Sequence, residues 1–128
     1  MNINFAINYG AKILKDKFIK NSYLDSEILL AEVINKDRKF LFLNLNKNLH
    51  NSDLNHFHKL IKKRSEGCPV AYLINKKFFW NSEFYVTNDT LIPRPDTELI
   101  VDSVLRLTKH RNNLNILEIG IGSGCIIL

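Results

Sequence analysis

The chain has 128 residues, of which 45% are hydrophobic and 24% charged, a composition typical of a globular protein of one domain or two small ones. It has no apolar run of the roughly 18–20 residues that cross a bilayer, no signal-peptide layout and no cysteine framework, so we expect a cytoplasmic protein without membrane contact. The net charge of +5 suits proximity to a nucleic-acid-rich assembly such as the ribosome, but the charges are spread along the chain, and we expect no direct nucleic-acid binding.

Apolar residues recur at helical spacing through roughly the first 70 residues. One amphipathic pattern covers Asn4 to about Lys20, and a second begins near Ser22 and ends before the polar break Asn35–Asp37. The apolar run within Arg38–Leu45 is too short for periodicity to separate a helix from a strand. The sequence therefore predicts a small bundle of helices.

A further helix is expected to begin at Ser52 as its N-cap and to end at Gly67, because Pro69 prevents continuation. Its basic stripe of Lys59, Lys62, Lys63 and Arg64 is typical of a solvated helix face. His56 and His58 point to different faces of this helix, so no metal site is predicted.

The pattern changes after Pro69. Two short aromatic runs, Lys77–Trp80 and Glu83–Val86, predict a β-hairpin with its turn at Asn81–Ser82. Further on, two prolines bracket Arg94 and hold the chain extended before a helix that starts near Asp96.

A glycine loop near the end of the chain carries the most chemical information. The apolar run Asn115–Ile119 predicts a buried strand that feeds glycines at 120, 122 and 124 and then a helix, an arrangement that brings backbone N–H groups close to a ligand. The spacing G-x-G-x-G lacks the third glycine of the dinucleotide fingerprint, and no Gly-Lys-Ser/Thr of a phosphate loop is present. Glu118 favours a ligand with a cationic or hydroxyl group over a polyphosphate. A glycine-rich turn that binds no ligand is the alternative.

These residues resemble motif I of the S-adenosylmethionine-dependent methyltransferases with a Rossmann-like fold. Upstream, the segment at 91–101 reads LIPRPDTELIV and looks like the signature of the HemK/PrmC family, the protein-(glutamine-N5) methyltransferases of peptide chain release factors. The segment at 67–73, GCPVAYL, resembles the family's G-x-P-x-x-Y-L pattern, and DSEILL at 25–30 is similar to its helical domain. The resemblance covers nearly the whole chain.

The resemblance implies an α+β chain with three parts: a helical substrate-recognition domain at 1–74, a β-hairpin linker at 75–88, and the start of a Rossmann-like methyltransferase domain at 89–128. It implies methyl transfer from S-adenosylmethionine to the glutamine amide of the release factors' Gly-Gly-Gln motif. By the same resemblance, the cofactor-binding residues match Glu118 and the loop that follows it, which consists of Gly120, Ile121, Gly122, Ser123 and Gly124.

The resemblance also implies that the chain is incomplete. The family's catalytic Asn-Pro-Pro-Tyr motif does not occur in it, so we expect no catalytic residue and no methyl transfer from this chain, and poor packing beyond about residue 110. Arg94 either reaches toward substrate or cofactor or pairs with Asp96 or Glu98. Cys68 and Cys125 have no partner that would make either a nucleophile.

Two other functions stay open. The chain could belong to a related glutamine methyltransferase that acts on a ribosomal protein, although the Arg94–Glu98 stretch argues against this. Alternatively, it could be a non-catalytic helical module that binds a release factor or the ribosome.

Overall fold

A computed structural model describes residues 1–127 of the chain, and Leu128, the last residue of the expected methyltransferase segment, lies outside them. Contacts divide the chain into two compact units, with the first covering Met1–Ile74 and the second beginning at Asn75. Within residues 1–127, none of the helices is long and apolar enough to cross a membrane.

The first unit is entirely helical. Its elements are α1 (Ile3–Asp16), α2 (Ser22–Val33), α3 (Arg38–Leu43), α4 (Asn51–Ser65) and α5 (Val70–Ile74). The ambiguous run after Arg38 is thus a helix. The short α5 was not predicted, because Pro69 was interpreted only as the end of the preceding helix; its carbonyl instead accepts the N–H groups of Tyr72 and Leu73 and opens a new turn.

A single hydrophobic core joins the helices of this unit. Its large, fully buried members come mainly from α1, α2 and α4 and are Ile3, Ile7, Leu14, Leu29, Leu30, Leu41, Phe57 and Ile61. Ile3 and Ile7 of α1, like Phe57 and Ile61 of α4, lie four positions apart, which is the spacing that places side chains on one helix face. The buried Leu29 and Leu30 of α2 are adjacent in the sequence. The predicted bundle over roughly the first 70 residues is confirmed.

Side chains cap two of the helices at their N-termini. The Asn2 carboxamide accepts the N–H of Phe5 at 2.8 Å, and the Asp37 carboxylate accepts the N–H of Phe40 at 2.8 Å. The prediction that Ser52 caps α4 is wrong. Ser52 lies inside the first turn, and the N-cap is His50, which makes no side-chain capping bond.

We expect the replacement Asp37→Ala to destabilise the first unit by about 1 kcal/mol, because α3 would lose the acceptor for one of its free N–H groups. Urea denaturation monitored by circular dichroism measures this change. The matched control is His50→Ala at the N-cap of α4, which removes no capping bond. If both variants lose the same stability, the capping role of Asp37 is contradicted.

Three helices of this unit end in the same way. The residue after the C-cap has a left-handed backbone, with φ of 58° at Phe18, 51° at Asn35 and 100° at Gly67. In each case the next N–H bonds back to a carbonyl five residues earlier: Ile19 to Leu14 at 3.1 Å, Lys36 to Ala31 at 3.0 Å and Cys68 to Lys63 at 3.2 Å. This is the Schellman arrangement. Gly67 thus ends α4 as predicted.

Gly10 lies where α1 packs closely against its neighbours. A Cβ atom at this position would lie 2.5 Å from the Ser26 Oγ, 2.8 Å from the Phe57 Cζ and 2.9 Å from the Ile61 Cδ1. All three side chains are buried, and the Ser26 hydroxyl donates to the Ile7 carbonyl at 2.8 Å. The absence of a side chain at Gly10 therefore sets how closely α1 approaches α2 and α4.

Two acidic residues of α2 are buried and paired. The Glu27 carboxylate accepts from the Arg38 guanidinium at 2.6 Å, and Asp25 accepts from the Arg64 Nε at 2.8 Å. Arg64 also donates to the Cys68 carbonyl at 3.2 Å. These pairs connect α2 to α3 and to α4, so Arg64 belongs to the packing of the unit and not only to the solvated stripe that the sequence predicts.

The second unit begins with an antiparallel hairpin formed by β1 (Lys76–Phe79) and β2 (Ser82–Tyr85). Phe79 pairs with Ser82, which places the turn at Trp80 and Asn81, one residue earlier than the predicted Asn81–Ser82. Trp80 has a φ of 53°, and its N–H donates to the Glu98 Oε1 at 2.8 Å. Because Glu98 is 18 positions from Trp80, local turn propensities could not predict this hydrogen bond.

A single 3-10 turn, Pro95–Thr97, leads into α6 (Glu98–Thr108), which confirms the helix predicted near Asp96. Arg94 precedes it with an extended backbone. Among the described residues Arg94 has no ion pair, so neither Asp96 nor Glu98 is its partner.

The predicted strand over 115–119 and the helix after the glycine loop are not formed. Residues 115–118 have no regular secondary structure, turns continue through 127, and Leu117 and Ile119 are 84% and 90% exposed. A parallel strand needs neighbouring strands, and the hairpin is the only sheet in residues 1–127. The structure thus shows helices and one small sheet, while the Rossmann-like part of the predicted α+β fold stays a prediction.

Candidate cofactor site

Glu118 is the chemically most unusual residue of the second unit. Its Oε2 atom is buried and has no hydrogen-bond partner among the described residues. Burial of a carboxylate oxygen without a hydrogen-bond donor costs free energy, so a donor from outside the described residues would stabilise this atom. A ligand with a cationic or hydroxyl group would satisfy it.

The glycine loop follows directly. Gly120, Gly122 and Gly124 all have left-handed backbones, with φ of 80°, 53° and 76°, and the Gly124 N–H closes a turn onto the Ile121 carbonyl at 2.8 Å. A Cβ atom at Gly120 would meet nothing within 4 Å, so space is open beside the loop. The glycines are therefore needed for the backbone conformation, and Gly120 and Gly122 are exposed, whereas Gly124 is buried.

A cavity of about 590 Å³ lies within the second unit. Glu118 lines it together with aromatic residues of the hairpin and apolar residues of α6; they include Phe79, Trp80, Phe84, Ile100 and Val104. Of the predicted cofactor residues, only Glu118 lines this cavity. The loop residues 120–124 follow it in the chain but do not contribute to the cavity wall.

The donor set fits S-adenosylmethionine in chemical type. Glu118 offers an unpaired carboxylate oxygen for an ammonium group or for ribose hydroxyls, and the exposed Gly120 and Gly122 offer backbone N–H groups for a carboxylate. The buried Gly124 donates its N–H to the Ile121 carbonyl and offers none. The cavity wall supplies apolar and aromatic surface of the kind that surrounds an adenine ring.

Other residues that the sequence singled out do not join this site. Cys68 and His56 belong to the first unit, and among the described residues no group of histidine, cysteine and carboxylate side chains could hold a metal. The sequence singled out His58 only as a candidate metal ligand and did not predict its burial: its Nε2 is buried without a hydrogen-bond partner in residues 1–127, and its ring lies 5.1 Å from the Tyr9 ring.

Comparisons with known proteins agree on one family. Residues 6–74 match the family model described as the PrmC N-terminal domain. Proteins named release factor glutamine methyltransferase are similar to this chain. The one from Shewanella oneidensis is 38% identical over 85% of this chain and 38% of its own length. The one from Leptospira interrogans is 40% identical over 90% of this chain and 41% of its own length.

The relative of the same name from Buchnera aphidicola subsp. Baizongia pistaciae is 38% identical over the whole chain and 46% of its own length. The chain thus spans less than half the length of these curated relatives. The family model covers more than half of the chain, and the residues it matches form the helical unit. The chain belongs to the family defined by the PrmC N-terminal domain.

Proposed function

We propose that this chain serves methylation of the glutamine side-chain amide in the Gly-Gly-Gln motif of peptide chain release factors. In this proposal residues 1–74 recognise the release factor, 75–88 form a linker, and 89–128 begin the methyltransferase domain. The relatives' names and the family match support the substrate class. The single observation that carries the cofactor half is the buried, unpartnered Oε2 of Glu118 ahead of three left-handed glycines.

S-adenosylmethionine would supply the electrophilic methyl group. The glutamine amide nitrogen is a weak nucleophile because its lone pair is delocalised, so orientation of the two reactants is the main source of rate enhancement. Glu118 and the loop of Gly120–Gly124 would hold the cofactor on one side. The chain's 128 residues contain no Asn-Pro-Pro-Tyr to hold the amide, so the proposal assigns to this chain cofactor binding and substrate docking, without methyl transfer.

We expect Glu118→Ala to weaken the binding of S-adenosylmethionine by about tenfold or more, since a charged hydrogen-bond acceptor would be lost. Equilibrium dialysis of the labelled cofactor against the full chain measures this. The matched control is Glu83→Ala, an exposed carboxylate on β2, which should leave the affinity unchanged. If the wild-type chain and the Glu118 variant bind S-adenosylmethionine equally well, the Glu118 carboxylate does not take part in cofactor binding.

One observation favours a second function, that of a docking module without a cofactor. The main hydrophobic core lies wholly within the helical unit, whereas many apolar residues of the second unit are exposed. One experiment on the full chain with a purified release factor distinguishes the two functions. Capture of the release factor together with saturable cofactor binding supports the proposal above, and capture without cofactor binding supports the docking module.

A further inference from the structure

The residue that ends α1 is unlike its counterparts in α2 and α4. The three helices share one termination motif, which places a left-handed residue after the C-cap, and two of them use the residue types that adopt this conformation most easily, Asn35 and Gly67. The third uses Phe18, with a φ of 58° and 94% of its surface exposed. Phe18 is therefore poorly suited to the backbone that it adopts and contributes almost nothing to the core.

The Phe18 ring borders an open cleft of about 840 Å³ between the end of α1 and the start of α2. Three lysines, Lys12, Lys15 and Lys20, line the cleft, and Tyr23 contributes a second, half-exposed ring. None of these lysines has an ion pair within residues 1–127, and neither ring stacks on another aromatic ring of that part of the chain.

The charge of this surface is strongly one-sided. Between residues 12 and 23 the sequence contains four lysines and a single acidic residue, Asp16. Three of these lysines line the cleft, and Lys17 does not. Three unpaired lysines around two free aromatic rings provide cationic groups for a polyanion and flat faces for stacking.

This combination favours a nucleic acid over a protein partner. Aromatic rings occur in both kinds of interface, but lysine is depleted at protein–protein interfaces. Grooves for single-stranded nucleic acids combine basic side chains for the phosphates with aromatic rings for the bases. A duplex keeps its bases stacked on one another, so the free rings select a single strand. Ser22 also lines the cleft and offers its hydroxyl to a ribose 2′-hydroxyl, the group that distinguishes RNA from DNA. Asn8 lines it too and offers only its Oδ1, because its Nδ2 donates to the Asn4 carbonyl at 2.9 Å.

We propose that this cleft, lined by Lys12, Lys15, Phe18, Lys20 and Tyr23, binds single-stranded RNA. The proposal departs from the expectation of no direct nucleic-acid binding. That expectation considered only how the charges are spread along the sequence, whereas the fold brings three lysines together at this cleft. It is independent of the proposed methyltransferase function, because neither Glu118 nor the glycine loop takes part.

The test uses the full chain and a fluorescently labelled 12-nucleotide single-stranded RNA of mixed sequence, with fluorescence anisotropy measured at several salt concentrations. Neutralisation of phosphates by the three lysines predicts that the logarithm of the affinity falls with the logarithm of the salt concentration with a slope of about −2. Duplex RNA and single-stranded DNA of the same sequence should bind more weakly. Equal binding of either one, or binding of a glutamate peptide but not of RNA, overturns the proposal.

The decisive variant is Phe18→Gly. Because glycine adopts the left-handed backbone easily, we expect this replacement to raise the melting temperature by a few degrees while RNA affinity falls about tenfold through loss of a stacking surface. If Phe18 had only a structural role, the more stable variant would keep its RNA affinity. A higher melting temperature together with a lower RNA affinity therefore indicates that the Phe18 ring contacts the RNA. Unchanged affinity in the Phe18 variant contradicts the proposal.

Two controls match the variants. Asn35→Gly alters the same helix-ending position in α2, outside the cleft, and should leave RNA affinity unchanged. Lys12→Gln and Lys15→Gln should each make the salt slope shallower by about 0.7, whereas Lys59→Gln on α4 should not. If Lys59→Gln has the same effect as the cleft lysines, the binding is spread over the basic surface and the proposal is wrong.

Discussion

Replacement of Arg64 by methionine is expected to destabilise the helical unit by about 3 kcal/mol. The Arg64 and Asp25 side chains are only 20% and 10% exposed, and their atoms lie 2.8 Å apart. Methionine fills part of the space but leaves the buried Asp25 carboxylate without its cationic partner and the Cys68 carbonyl without a donor. The loss should appear in urea denaturation as a lower midpoint at an unchanged slope.

The chain contains a suitable control for this prediction. Arg106 pairs with Asp102 at the same distance of 2.8 Å, but their side chains are 79% and 38% exposed, so Arg106→Met should cost less than about 0.5 kcal/mol. The double replacement of Asp25 by leucine and Arg64 by methionine should recover much of the loss, because no unpaired charge then remains buried. Equal losses in the Arg64 and Arg106 variants would show that burial of the first pair has no energetic consequence.

Gly10→Ala is expected to destabilise the same unit by about 2 kcal/mol, although alanine is the better helix former. The added methyl group would approach three buried side chains to less than 3.0 Å and would disturb the hydrogen bond from the Ser26 hydroxyl to the Ile7 carbonyl. Thermal or urea denaturation measures the loss. The control Lys12→Ala introduces alanine on the exposed side of the same helix and should change the stability little.

A double-mutant cycle tests the cause of this loss. Removal of the hydroxyl by Ser26→Ala also removes the nearest of the three close contacts, so the double variant should be more stable than the sum of the two single effects predicts. Strict additivity would mean that the loss at Gly10 does not arise from contact with Ser26.

The sequence was most informative where local chemistry decides the structure. Helical periodicity and the glycine after the C-cap were enough to predict α2, α4 and its end at Gly67, and the two prolines around Arg94 predicted the start of α6. Partners distant in sequence were not predictable. Periodicity does not show that Arg64 turns inward to Asp25, 39 residues away, or that Glu98 accepts the N–H of Trp80 at the hairpin turn.

At the candidate cofactor site, too, local features were predictable from the sequence and contacts between distant residues were not. Glycine spacing was enough to predict a loop at residues 120–124, and residue type was enough to suggest Glu118. Neither predicted that the Glu118 Oε2 would be buried without a donor. The strand expected at 115–119 failed for a different reason. Apolar composition reports only the tendency to form a strand, whereas the strand itself requires neighbours to which it can hydrogen-bond.

Trp80 has a practical consequence for experiments on this chain. It is the only tryptophan in the sequence, and it lies in the second unit, at the hairpin turn and in the wall of the cavity that Glu118 lines. The far-ultraviolet circular dichroism signal, by contrast, comes mostly from the five helices of the first unit. Two optical signals from one sample thus report on different halves of the molecule, and a gap between their denaturation midpoints would measure how far the halves unfold independently.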